Sequence, residues 1–466
     1  MSVLFRLALA LATATAVTAT AACSATAGRG QAASAPSSPA SSPAGPAAPP
    51  PAAGQSVTTL VVPPGEGGGA LSQAHALTVP AGWTARVWAR VPNARMEAWT
   101  PAGDLLVSEP ADGKIVELRP DASGTARATT LLSGLTYPQG MAFARLDGQW
   151  ALYVAESDQV DRYPWRAAAI SGTRTVIAAG LPDLDPQGDD VHRAKDVAVA
   201  ADGTVYFNVG SSSNANPDDR AMSPQRAVIM AVSPDGKDLR VAERGVRNGE
   251  GLAVAPDGTV WTAVNERDNI PYPSHRRPYG ANRDAFGQVI QAYVNNHPPD
   301  EVVPVTAGRD LGWPYCDPDP DDSDPAGSLA RIPLVPNAAT NPGGRQLDCA
   351  ALAPVQVGLP AHSAPLGLTF LEGTTMAAPW SGGAVVAVHG SWDRQPPQAP
   401  AVDWLAWDAS PGTLEPAVTL AGGFENPGGS FWGRPVDAVP GPDGALYVSD
   451  DAAGAIYRLA PPEARR

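Results

Sequence analysis

Residues 256–266 read Pro-Asp-Gly-Thr-Val-Trp-Thr-Ala-Val-Asn-Glu, a glycine-centred turn, a short run of β-branched, aromatic and small residues, and a return to polar side chains. Asp-Gly supplies the positive φ of a tight hairpin, and the run behind it has the make-up of a strand. The signature recurs at Gly103 (Pro-Ala-Gly-Asp-Leu-Leu-Val-Ser-Glu), Gly148 (Asp-Gly-Gln-Trp-Ala-Leu-Tyr-Val-Ala-Glu), Gly203 (Ala-Asp-Gly-Thr-Val-Tyr-Phe-Asn-Val-Gly), Gly383 (Ser-Gly-Gly-Ala-Val-Val-Ala-Val-His-Gly) and Gly444 (Pro-Asp-Gly-Ala-Leu-Tyr-Val-Ser-Asp). The six glycines are spaced by 45, 55, 55, 125 and 61 residues. These are lengths of a four-stranded propeller blade except for one long interval. The sequence therefore predicts an all-β fold, a six-bladed β-propeller with a long insertion, about residues 269–360, between the fourth and fifth repeats. The run from Leu77 to Val91 is expected to pair with Ala455–Leu459 and close the ring, which removes an exposed edge. The insertion is rich in proline and carries an acidic stretch from Asp317 to Asp324. Long structured excursions of this kind shape a substrate mouth.

Composition narrows the partner. The chain has 466 residues, a net charge of -15 and 50 prolines with 47 glycines. Nucleic acid is excluded as a partner because no basic stripe exists to meet phosphates, and a small molecule is expected instead. Residues 1–22 read as an export signal: Arg6, an apolar run from Leu7 to Val17, then Thr20-Ala21-Ala22-Cys23. That last run resembles the lipobox of bacterial lipoproteins, which makes Cys23 the lipidation site and the membrane a partner only through a lipid anchor. Thr20 stands where an aliphatic residue is usual, and ordinary cleavage near Ala22 is the alternative. Residues 23–74 are expected to be a flexible tether rich in Ala, Ser, Pro and Gly, and 75–466 the catalytic propeller. With Cys23 consumed, Cys316 and Cys349 remain as an even pair for one disulfide outside the cytoplasm, the alternative being two buried thiols.

Chemistry gathers just before and after the hairpin strands. His192, in Asp189-Asp190-Val191-His192-Arg193-Ala194-Lys195-Asp196, precedes the third repeat, with Asp190 or Asp196 placed to orient it as a general base. A surface histidine in a polar loop would read the same way. Arg247-Asn248 holds the equivalent place before the fourth repeat and suits an anion, or else pins a turn. Asn265-Glu266-Arg267-Asp268 closes that repeat with three charges in a row, a candidate source of oxygens for Ca²⁺ or a solvated turn.

Several runs, in order, resemble the glucose/sorbosone dehydrogenase family, nearer its sorbosone-type branch. They are Ala94-Arg95-Met96, Tyr137-Pro138-Gln139-Gly140-Met141-Ala142-Phe143, the His192 segment with Val209–Asn214, Val246-Arg247-Asn248 and Asn265–Asp268. Gly312-Trp313-Pro314-Tyr315-Cys316, His389-Gly390-Ser391-Trp392-Asp393-Arg394 and Gly433-Arg434-Pro435-Val436-Asp437 complete the set. The resemblance implies a soluble quinoprotein sugar dehydrogenase that holds pyrroloquinoline quinone and Ca²⁺. It makes His192 the base that takes the anomeric hydroxyl proton while hydride passes to the quinone, and Arg247 the stabiliser of the charge that develops. It gives Arg95, Gln139, Arg247, Asn248, His389, Trp392, Arg394 and Arg434 to the quinone, and the Glu266, Arg267 and Asp268 turn to the metal. Three positions depart from the family pattern: Lys195, Glu250 and Asp393, and an extra carboxylate at Glu250 beside an anionic cofactor is unfavourable unless paired. A Ca²⁺-dependent lactonase-like hydrolase and a non-catalytic carbohydrate- or protein-binding propeller are the alternatives. The sugar and the electron acceptor are not named by these residues.

Overall fold

A computed structural model describes residues 54–121, 124–184, 192–276, 283–320 and 329–462. The signal segment with Cys23, the tether through residue 53, Asp190 and residues 321–324 of the acidic stretch lie outside the described residues. The expected propeller is present as six antiparallel blades. The first comprises Glu97–Trp99, Leu105–Glu109, Lys114–Pro120 and Ala126–Ser133. The third comprises Val197–Val199, Val205–Val209, Val228–Val232 and Arg240–Arg244. In the second, fifth and sixth blades the first two strands are Met141–Leu146 with Gln149–Ala155, Pro365–Phe370 with Ala384–Val388, and Pro435–Pro440 with Leu446–Asp450. Each of the six predicted glycines lies between the first and second strand of its blade, with φ between 75° and 91°, where a Cβ would be strained.

The ring closes as expected. Thr84–Arg90 pairs with Ala455–Ala460 as the fourth strand of the last blade. Gln55–Val61 then adds to that sheet alongside Thr84–Arg90 and pairs with Ala76–Pro80. This corrects the tether boundary: the alternating Ser56-Val57-Thr58-Thr59-Leu60-Val61 run has strand composition, and Gln55–Val61, assigned to the tether, is a strand of the propeller.

The insertion is corrected as well. Asp300–Pro304 and Val355–Leu359 are the third and fourth strands of the fourth blade, after Gly249–Val254 and Val260–Val264. The excursions are therefore two, both within that blade. One runs from the second to the third strand; the other runs from the third to the fourth and is closed by the Cys316–Cys349 disulfide, whose Cα atoms are 5.6 Å apart. The strands escape a sequence reading because each spans only five residues and no Asp-Gly turn joins them.

Second strands are buried on both sides: every residue of Leu105–Glu109, Val260–Val264, Ala384–Val388 and Leu446–Asp450 is buried. A strand packed between two neighbouring blades has no solvent face, so both of its faces are mostly small or apolar, with charge confined to the strand ends at Glu109 and Asp450. Outer strands such as Ala126–Ser133 are largely exposed. Near the channel, aspartates tie neighbouring blades together. Asp196 of the third blade accepts from Leu252 N of the fourth at 2.7 Å, and Asp437 of the sixth accepts from Glu97 N of the first at 2.8 Å. Asp437 also accepts from Ala438 N. Asp437→Ala leaves two buried N–H groups unsatisfied and is expected to lower unfolding free energy by about 2 kcal/mol or more. A shift of the urea midpoint checks this, and an unchanged midpoint would contradict the inter-blade tie.

Candidate active site

In an antiparallel blade the start of the first strand and the end of the second lie at one rim, and the hairpin glycine between them at the other. Residues just before first strands and just after second strands therefore converge from different blades. Here they line a cavity of about 270 Å³ that includes Arg95, His192, Arg247, Asn248, His389 and Trp392. Glu266 and Asp268 of the expected metal turn also face it.

His192 is held through Nδ1, which lies 3.0 Å from Ser211 O and 2.8 Å from Ser211 Oγ. The Ser211 hydroxyl donates to Ser213 O, so both Ser211 oxygens act as acceptors toward the ring. Nδ1 therefore carries the proton, and in the neutral ring the lone pair belongs to Nε2. Burial, then the positive charge of Arg247, push the His192 pKa well below its ordinary value, so the base form dominates at neutral pH. Asp196 does not orient it, because its carboxylate is used by Leu252 N and Val197 N. Ser211, at the end of a second strand, does so instead.

Arg247 is buried and fixed by four bonds. It donates to Asn265 O at 3.0 Å, Glu266 O at 2.8 Å, Asn214 O at 3.3 Å and Asn214 Oδ1 at 3.1 Å. Arg95 is paired with Glu250 at 3.1 Å and Asp451 at 3.0 Å. Glu250 also accepts from Gln139 at 2.8 Å and Asn248 at 3.0 Å. The extra carboxylate is thus fully engaged and its charge offset. Asn248 Oδ1 is buried with no hydrogen-bond partner among the described residues. His389 Nε2 lies 2.9 Å from Asp451 Oδ1. Burial would raise Asp451, yet His389 and Arg95 hold its pKa down at about 2.

Other expected residues are placed differently. Gln139 is fully buried behind Arg95 and Glu250 and does not line the cavity. Arg434 turns its guanidinium to His389 O and Gly390 O at 2.8 and 2.9 Å, so it supports the loop rather than the lining. Arg394 donates to Gln398 and is not part of the lining. Trp392 is 71 % exposed, a rim residue rather than one face of an enclosed sandwich. Arg267 has a buried cationic side chain with Nε and Nη1 unpaired among the described residues; a guanidinium cannot ligate a cation. Lys195 is buried and bonded to Pro182 O and Arg193 O.

The sequence reading missed His362, Asp300 and Asp451, which complete the site. Asp300 accepts from Glu266 N and Ala364 N, both at 2.8 Å, so it fixes the loops on either side of it. His362 occupies the place before the fifth blade's first strand that His192 and Arg247 occupy in theirs. That positional rule would have found it had the strand at Pro365–Phe370 been located. Burial would lower the His362 pKa, but Asp268, Asp393 and Asp300 outweigh this and raise it. Burial also raises Glu266 to about 8.

Carboxyls outside the cavity lining show the same effect. Burial is the main cause that raises Glu156 and Glu243 to about 7, and Asp403 and Asp437 to about 6. Their ordinary values are near 4, so between about pH 4 and 7 the folded chain holds protons that the unfolded chain has released. Stability then falls as pH rises through that window, and self-repulsion of a chain at -15 acts in the same direction. The melting temperature is expected to be about 5 °C lower at pH 8 than at pH 5. A melt that is equal or higher at pH 8 would contradict the burial of these groups.

Residues 77–461 match the model of the TrAA12-like family. An uncharacterized protein of Borreliella burgdorferi is 26 % identical over 285 residues, 61 % of this chain, and the match spans 63 % of that relative's length. The holo pyranose dehydrogenase PQQ domain of Coprinopsis cinerea is 21 % identical, with a TM-score of 0.67 over 86 % of this chain and 100 % of that one. The calcium structure of the Trichoderma reesei Carbohydrate-Active Enzymes Family AA12 protein is 18 % identical, with a TM-score of 0.65 over 82 % and 96 %. These likenesses establish the shared propeller fold and do not single out a sorbosone-type branch. With a family match running from the strand pairs that close the ring through all six blades, this chain belongs to the TrAA12-like family.

Proposed function

We propose that this chain is a quinoprotein oxidoreductase that oxidises an aldose-type sugar at its anomeric carbon, with pyrroloquinoline quinone and Ca²⁺ as cofactors. Family membership supports the reading, as does a structural neighbour described as a holo pyranose dehydrogenase PQQ domain. The observation that carries it lies in the chain itself. His192, neutral and with its tautomer set, and Arg247, charged and immobile, face one cavity from adjoining blades.

The residues present fit such a cofactor. Glu250 and Asp451 are consumed by Arg95, Gln139, Asn248 and His389, and burial keeps Glu266 largely protonated at neutral pH. The lining at Arg247 is thereby left able to receive an anion, whereas Asn248, whose amide donates to Glu250 and whose Oδ1 only accepts, could meet a donor group of the cofactor. Asp268 and Asp393 are the acidic part of the lining, where a cation would be held. When bound, the quinone supplies the two-electron acceptor for the hydrogen leaving the sugar carbon. His192 Nε2 receives the proton of the anomeric hydroxyl, and Ser211 keeps the ring oriented and stabilises the imidazolium as it forms. Arg247, fixed before reaction, presents positive charge without reorganisation. Trp392 at the rim offers an apolar face to the sugar ring. The product is the lactone.

The same proposal places the chain outside the cytoplasm, anchored by lipid on Cys23, in keeping with the Cys316–Cys349 disulfide. Loss of fatty-acid labelling in Cys23→Ser is the expected result. For the activity, the test is reconstitution of the purified domain with quinone and Ca²⁺, followed by dye reduction with a panel of aldoses. Dye reduction that needs both additions is expected. Lactone cleavage with metal alone would instead establish a hydrolase, and neither activity in a folded domain would leave a binding propeller.

A further inference from the structure

We propose that Gly210 and Arg226 are positioning residues for His192, Gly210 by leaving room for the His192 main chain against the end of a strand, and Arg226 by pinning from behind the carbonyls of the strip that receives the imidazole. The inference deepens the assignment of His192 as the base and rests on it. Neither residue is part of the cavity lining, so each acts through what it touches.

The strip begins where the ladder stops. Val209 ends the second strand of the third blade and pairs with Val228, which begins the third. Gly210 and Ser211 lie just past this pair, so their carbonyls take donors from outside the ladder. Arg226, just before Val228 in the chain, supplies them. Its side chain is buried, Nε donates to Gly210 O at 3.2 Å, and Nη2 lies 3.5 Å from Ser211 O. That second oxygen is the one His192 Nδ1 approaches to 3.0 Å. The rest of the strip is tied as well. Ser211 N donates to Arg247 O at 2.8 Å, and Ser212 donates through N and Oγ to the Asp219 carboxylate at 2.8 and 2.6 Å. Asp219 O in turn accepts from Arg226 N at 3.1 Å.

Gly210 meets a different need. Its φ is not positive, so backbone conformation does not call for glycine there. A Cβ on it would fall 2.5 Å from His192 Cβ, 2.9 Å from His192 O and 2.7 Å from Asn248 Oδ1. The two His192 atoms move with the main chain and cannot turn away by a change of rotamer. A side chain at position 210 therefore displaces the His192 backbone, and the ring with it. Arg226 adds direction and charge. A planar fork can meet two successive carbonyls, which an ammonium cannot do in the same way. Burial first, then Arg247, and to a smaller extent Arg226 depress the His192 pKa, while the bond to Ser211 acts against them.

The first readout needs no activity. Protein with isotopically labelled histidines is followed by NMR without quinone, the His192 signals being assigned by their loss in His192→Ala. In wild type the neutral ring is expected to carry its proton on Nδ1. In Arg226→Met a larger share of the Nε2–H tautomer and a titration at higher pH than in wild type are expected, with Arg226→Lys between the two. In the reconstituted enzyme Arg226→Met and Gly210→Ala should each lower kcat at least about tenfold with KM within about twofold of wild type, because a displaced base loses reach while the sugar keeps its contacts. The acid limb of the kcat/KM profile should move to higher pH in Arg226→Met. Should either variant fail to fold, Arg226→Lys decides, with a kcat loss of at least about threefold and the same tautomer change expected. An unaltered His192 tautomer and titration with unaltered kcat in the Arg226 variants would overturn the positioning role, even with His192→Ala inactive. Normal turnover in His192→Ala would overturn the base assignment instead, and the NMR result would still decide whether Arg226 orients the ring.

Discussion

His192→Ala is expected to lower turnover in the reconstituted enzyme by about a hundredfold or more while leaving quinone affinity near that of wild type. The argument rests on what the ring touches. Nδ1 is committed to Ser211, burial and Arg247 keep the ring unprotonated, and its place in the lining puts it within the cavity but not among the anchoring cations. Because its pKa is depressed, the base form persists well below pH 6.5, and the kcat/KM profile should show no loss of activity from this group between pH 6 and 8. Steady-state dye reduction together with a quinone titration monitored by fluorescence provides the check. Turnover that survives the substitution would move the base to another side chain, His389 or His362 being the other imidazoles in the lining.

Arg247→Ala is expected to act on both chemistry and folding. Loss of a fixed positive charge aimed at the reacting centre costs about 10²–10³ in kcat/KM, and the quinone complex should weaken with it. The truncation also leaves Asn265 O, Glu266 O and Asn214 O without the donors that Arg247 gives them, while Asn214 Oδ1 keeps Asp268 N. Unsatisfied buried acceptors of this kind cost about 1–3 kcal/mol each, so a fall of several degrees in melting temperature accompanies the kinetic loss. Arg247→Lys separates the two roles. It retains the charge but cannot reproduce a planar fork with four partners, so it should recover part of the quinone affinity and little of the stability. A stability loss with unchanged kcat/KM in the alanine variant would make Arg247 a purely structural residue.

Asn214 explains why the site behaves as a unit. One side chain accepts from Arg247 and from Asp268 N, and donates to Asp268 O. It thereby links the residue expected to stabilise charge with the loop that carries the acidic cluster. Asp300 plays a similar part between Glu266 and Ala364. These polar residues give the fourth and fifth blades one shared rim, which is why loops from separate blades arrive in fixed register.

The fold was legible in the sequence because it depends on local chemistry. Asp-Gly and its variants demand positive φ wherever they occur, and six of them at blade-length intervals carry the repeat without reference to distant contacts. Closure by Thr84–Arg90 against Ala455–Ala460 was likewise readable, since both are strand-like runs at the ends of a ring that must hide its edges. Asp300–Pro304 and Val355–Leu359 were not readable as strands, because five residues between long excursions present no turn and no periodicity. The site divides in the same way. Position relative to a hairpin picked out His192, Arg247, Asn248, Glu266 and Asp268, all of which reach the cavity, and also Arg267, which does not.

By itself, then, the sequence determined how many blades there are, where each turns, how the ring shuts and which loops meet at one rim, because backbone constraints at glycine and burial between blades are written residue by residue. Only the tertiary structure decided which side chains from those loops face inward. Arg434 and Arg394 have the right charge and loop yet spend their guanidinium groups on His389 O, Gly390 O and Gln398 and do not themselves line the cavity, Glu250 is offset by partners more than a hundred residues away in Arg95 and Gln139, and His362 joins Asp268 and Asp393 across two blades. Several rotatable bonds separate a charge from its Cα, and its direction is set by hydrogen-bond partners brought from distant parts of the chain.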